Sequence, residues 1–112
     1  MKTQIQTHEC EIDDLLRRYI FQSIQTALST VSTQIKVVCV KLTTRFEHSG
    51  DSTKLCSIQI MVHNSMWISA NSETTYWLST IDRAVQAAAR ATRREINRPL
   101  KIQQQSLLEF EN

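Results

Sequence analysis

The chain has 112 residues, 41% of them hydrophobic and 21% charged, with one glycine, one proline and a formal net charge of +2. That length holds one compact domain, and the scarcity of glycine and proline excludes a linker-like or low-complexity chain. No apolar run approaches the roughly 20 residues that span a bilayer, and the opening Met-Lys-Thr-Gln-Ile-Gln-Thr lacks the apolar stretch of a signal peptide, so the expected location is the cytoplasm.

Residues 2 to 7 are short and polar and suit a first, edge strand. The acidic group Glu9, Glu11, Asp13 and Asp14 then stands where a helix N-terminus favours negative charge. From Asp13 or Asp14 onward Leu16, Ile20, Ile24, Ala27, Leu28 and Val31 recur at three- and four-residue steps, which predicts a first helix. The period changes to two over Ile35 to Thr44, with Val38, Val40 and Leu42 on one face and Cys39 and Lys41 on the other. Residues 45 to 53 are polar, hold the only glycine and predict a loop.

Alternation resumes with Cys56, Ile58, Ile60 and Val62 against Ser57, Gln59 and Met61, and His63-Asn64 is short enough for a hairpin turn into a strand over 66–70. A polar segment from Asn71 to Tyr76 leads to a second helix, predicted from Ser79 or Thr80 to about Arg98 and ended by Pro99. Its inward face is Ile81, Ala84, Val85, Ala88 and Thr92. The order β-α-β-β-β-α predicts an α+β fold, one four-stranded sheet with two helices packed on one face. Residues 1–98 form the domain, 99–112 a short C-terminal tail, and there is no internal repeat.

Charge is concentrated on the second helix. At about 100° per residue, Arg83, Arg90 and Arg94 fall within a roughly 40° arc opposite Ile81, Val85 and Ala88. Arg93 and Arg98 flank this stripe, and residues 81–98 contain only Asp82 and Glu95 as acids. Guanidinium groups are permanently charged planar forks that bind phosphate in a bidentate way, so a rigid row of them can follow a nucleic-acid backbone. The plainer account is a solvated outer face. Of the other bases, Arg17 lies near the first helix's apolar side, where its stem can snorkel, and Arg18 suits solvation and phosphate binding equally.

Trp67, Tyr76 and Trp77 have the chemistry to stack on bases, although aromatics in a strand and a helix lead-in more commonly serve packing. Cys10, Cys39 and Cys56 are odd in number and lack CxxC spacing, which predicts reduced thiols in or near the core. Together with His8, His48 and His63 they show no zinc spacing, and neither a recognisable nucleophile–base pair nor a glycine-rich phosphate loop is present. No metal, cofactor or small-molecule substrate is expected.

Ala27-Leu28-Ser29, Ile35 with the Val38/Val40/Leu42 strand, Cys56, and above all Ile81-Asp82-x-Ala84-Val85 opening a basic last helix resemble the ribosome hibernation-promoting and ribosome-associated inhibitor family, also called sigma-54 modulation proteins. The resemblance covers roughly residues 1 to 98. It implies a fold akin to the double-stranded-RNA-binding domain, a cytoplasmic place, no enzymatic activity, and binding to small-subunit ribosomal RNA in the decoding region.

The positions matching that family's RNA-contacting bases are Arg18, Arg83, Arg90, Arg93 and Arg94. Thr30 replaces a basic residue, the connection from Asn71 to Leu78 is expected to be longer and aromatic, and net charge is low. The tail is too short for the extra dimerising domain of long members, so forming ribosome dimers would need other hibernation factors. The alternative expectation is a protein-interaction module of the same fold that has lost RNA binding, motivated by Trp67, Trp77, Leu107, Leu108 and Phe110.

Overall fold

Period-two alternation builds the sheet. In a computed structural model that describes residues 1–63 and 65–98, the elements are β1 (Lys2–His8), α1 (Asp14–Ala27), β2 (Ile35–Phe46), β3 (Ser52–Val62), β4 (Trp67–Thr74) and α2 (Trp77–Ile96). The expected tail lies outside the described residues. β1 pairs parallel with β2, the later neighbours pair antiparallel, and the spatial order is β1-β2-β3-β4. The predicted α+β architecture is therefore the one observed.

Val38, Val40 and Leu42 of β2 stand opposite Ile60, Ile58 and Cys56 of β3, all buried on the face that both helices cover. The other face is open to solvent and carries Lys41, Gln59, Asn71 and, where Val37 meets Met61 and Trp67, an apolar end. Cys39 and Cys56 thus lie on opposite faces of the sheet and cannot ligate one ion. Burial pushes the Cys56 thiol up to about 12, so it stays protonated.

Asp13 caps α1 by accepting the Leu16 N–H at 2.8 Å, as the acidic cluster predicted. The helix ends at Ala27, before Val31. Residues Ser29–Gln34 tighten into a 3-10 helix, in which the Ser29 and Ser32 hydroxyls donate to the Thr26 and Ser29 carbonyls. A run of Ser and Thr gives the backbone such local alternatives to α-helix. Gly50 turns between β2 and β3 at φ +91°, where a side chain would be strained.

Two expectations fail between residues 71 and 80. The polar segment from Asn71 continues as strand to Thr74, leaving only Thr75 and Tyr76 as a link, so the connection is short. The strand was hidden because its inward residues Ala70, Ser72 and Thr74 are small or polar at the margin of the core, beneath a closely seated helix. α2 also starts earlier, at Trp77. Tyr76 provides no side-chain cap; instead the Thr74 hydroxyl accepts the Tyr76 N–H and bonds the hydroxyls of Ser79 and Thr80.

Thr80 is fully buried and donates to the Lys54 carbonyl at 3.1 Å, tying α2 to β3 as well. Thr92 is equally buried, but its hydroxyl has no partner among the described residues. Thr80→Val should therefore destabilise the domain by about 1–3 kcal/mol, the cost of orphaned buried polar groups, whereas Thr92→Val should be neutral or stabilising. Urea unfolding of the two variants checks the contrast.

Candidate nucleic-acid interface

Both helices run from the end of the sheet where β4 finishes towards the end where it starts, because β1 and β4 point the same way and each helix returns across them. Side by side, they touch through specific side chains. Tyr19 of α1 donates to the Asp82 carboxylate, and that bond, more than burial or charge, raises the tyrosine pKa. Near the other end the Arg93 guanidinium donates to the Ala27 carbonyl at 3.0 Å. A free carbonyl at a helix C-terminus needs such a donor.

These contacts orient the arginines. Asp82, Gln86 and Arg93 lie on the flank of α2 facing α1. Arg83, Arg90 and Arg94 are exposed roughly 100° farther round, opposite the buried face of α2, and point away from the sheet. Among the described residues none of the three makes a hydrogen bond or ion pair, whereas Arg45 is shared by Glu47 and Glu73, and Arg98 pairs with Glu95.

Of the five arginines singled out by sequence, three therefore form one line. Arg93 is half-buried and holds the helices together. Arg18 is exposed on the outer side of α1, separated from the line by the width of the helical layer. Arg17 is exposed too. Lys54 of β3 stands 5.5 Å from the Trp77 ring centroid, a cation–π contact at the foot of α2.

The aromatics divide. Trp77 is half-buried against the core, as packing predicts, but Trp67 is 49% exposed on the open sheet face and Tyr76 is 73% exposed. Periodicity gave no warning, since an edge strand and a helix N-cap alternate in and out like any other. Near Tyr76, a shallow apolar hollow is lined by Leu15, Leu16, Trp77 and Leu78 with Glu11 and Asp13 on its rim. No group of three or more His, Cys, Asp or Glu that could hold a metal occurs among the described residues.

Comparison with solved structures places this geometry among known folds. The chain is similar to a ribosomal subunit interface protein from Coxiella burnetii, with a TM-score of 0.69 and 12% identity over 87% of this chain and 100% of that one. It is also similar to the N-terminal domain of Protein Y from Thermus thermophilus, with a TM-score of 0.68 and 18% identity over 84% of this chain and 98% of that one. The fold is theirs. No family model and no curated protein matches the sequence.

The two kinds of arginine should separate on mutation. Arg93→Ala should cost about 1.5–3 kcal/mol in urea or thermal unfolding, since it removes a charged donor from a carbonyl. Arg90→Ala should change stability by no more than about 0.5 kcal/mol.

Proposed function

We propose that this protein is a non-enzymatic translation inhibitor of the hibernation type, acting in the cytoplasm by binding small-subunit ribosomal RNA through α2. The line of Arg83, Arg90 and Arg94 on a rigid helix, without ion-pair partners among the described residues, carries this reading. The arginines are seven and four residues apart, so they rise about 10 Å and about 6 Å along the axis, and the helix holds them fixed while their charge remains unneutralised. Such a row follows a polyanion without committing to its sequence. Arg18 would add a contact on the other flank, and Arg93 would reach RNA only by sharing its guanidinium with Ala27.

The name of one similar structure, a ribosomal subunit interface protein, supports a ribosomal partner; the other is Protein Y. Occupation of ribosomal RNA needs no nucleophile, metal or cofactor. No helix among the described residues is long and apolar enough to cross a membrane. A protein-interaction role draws on exposed Trp67 and on the Leu15–Leu78 hollow, and would show as retention of partners by a chain that ignores ribosomes.

Replacing Arg90 and Arg94 together by Ala tests the assignment. The fold should survive, because both side chains are solvent-facing. Cosedimentation with ribosomes should weaken, and the slope of log affinity against log salt should flatten by about two units, one per lost phosphate contact. Unchanged affinity and slope would reduce the stripe to a solvated face.

A further inference from the structure

Among the described residues β4 is an outer strand, and the phase of its ladder can be read. Val62 donates to the Met66 carbonyl at 3.1 Å, so this pair is hydrogen-bonded. With the register unbroken from Met61↔Trp67 to Lys54↔Thr74, alternate pairs follow suit at Ile60/Ile68, Ile58/Ala70 and Cys56/Ser72. Trp67, Ser69, Asn71 and Glu73 therefore turn their backbone N–H and C=O away from β3, and their side chains onto the open face of the sheet.

Soluble proteins blunt such an edge with lysine, proline, a bulge or a very short strand. β4 has none of these over its eight residues, and its register against β3 is unbroken. Its one charged residue, Glu73, stands near the end and faces Arg45, whose Nη2 lies 3.5 Å from both carboxylate oxygens. At the other end Trp67 is 49% exposed. An edge left unguarded is a template for another strand.

The strand that fits is β4 of a second copy. A two-fold axis through Ala70, perpendicular to the sheet, sets the two strands antiparallel, with Ser69 opposite Asn71 and Trp67 opposite Glu73 of the second copy. All four residues carry outward groups, so each pair exchanges both of its backbone bonds. No like charges face each other along the strands. On the open face the Trp67 indole meets the Glu73–Arg45 pair of the second copy. Its N–H is a donor for the carboxylate, and its ring is a surface for the guanidinium. Symmetry makes the same contact at the other end.

The helical layer permits this pairing. An axis normal to the sheet keeps both α2 helices on one face and brings them together above the joined edges. Ala91 lies about 180° round α2 from Asp82, which faces α1, and Ala87 is about 40° from Ala91. The side of α2 turned to the axis thus carries methyl groups. Helices pack about 8–10 Å apart according to the side chains between them, and alanines allow the short separation that strands about 4.8 Å apart impose. Arg83, Arg90 and Arg94 stay on the outer side of each helix, away from the contact.

We propose that this protein forms a two-fold dimer by antiparallel pairing of β4 with β4, joining two four-stranded sheets into one with the α2 helices side by side. The inference is independent of any RNA partner.

Sedimentation equilibrium of the full chain without RNA, from about 1 μM to about 1 mM, tests it. Dimers should form within that range, and amide protection at Ser69, Asn71 and Glu73 should rise with concentration. Asn71→Pro removes an outward N–H at a strand edge, where proline is tolerated, and should raise the dissociation constant at least about ten-fold. Ala87→Lys puts a long charged side chain between the helices and should do the same without touching β4. Unchanged amide protection at Val40 and Ile58 shows that each variant is folded. A monomer throughout the range would overturn the proposal. So would a dimer that either variant leaves intact, which would use another surface, or β4 protection independent of concentration, since the edge would then be covered within one chain.

Discussion

Alanine at positions 84, 88 and 89 lets the backbone of α2 settle closely on β3 and β4, and the rest of the molecule follows from that seating. A helix carried so low needs small residues beneath it, which is why β4 offers Ala70 and Ser72 opposite Ile58 and Cys56 of β3. It also needs its entry fixed. The Thr74, Ser79 and Thr80 hydroxyls and the Lys54 carbonyl do this with polar bonds inside a largely apolar layer. The unpartnered Thr92 hydroxyl shows the opposite case, a polar atom accepted in the same face without compensation.

Once α2 is seated, the direction of every arginine on it is determined. The flank towards α1 is occupied by structure: Asp82 meets Tyr19, and Arg93 meets Ala27. The outer side, opposite the buried face, has no such neighbour among the described residues, and there Arg83, Arg90 and Arg94 stand in line. One amphipathic helix therefore divides its charges into those that assemble the protein and those exposed to solvent.

Much of this was legible in the sequence because burial enforces periodicity. The alternation through Val38–Leu42 and Cys56–Val62 located two central strands, and the inward face of α2 emerged residue by residue. Legibility failed where burial weakens. Edge strand β4 lost its signal after Ile68 because its inward residues are small, and the end of α1 was misplaced because Ser and Thr hydroxyls replaced helical hydrogen bonds by local ones. Within the candidate site, the solvent-facing arc of three arginines was readable from a 100° step. The duty of Arg93 was not, since it depends on a carbonyl 66 positions away in the chain.

The parallel arrangement of the two helices has one more consequence. Their N-terminal ends lie together with Glu11, Asp13 and Asp14, and Glu47, Asp51 and Glu73 belong to the same end of the sheet; Lys2, Lys36, Arg90 and Arg94 occupy the opposite end. A net charge of +2 thus conceals an uneven distribution of charge along the strands, even though Arg17, Arg18, Arg45 and Lys54 stand among the acids. In the field of a polyanion such a molecule experiences a torque before it experiences much attraction, and turns its basic pole forward. Orientation during approach, rather than overall attraction, is what this distribution of charge provides.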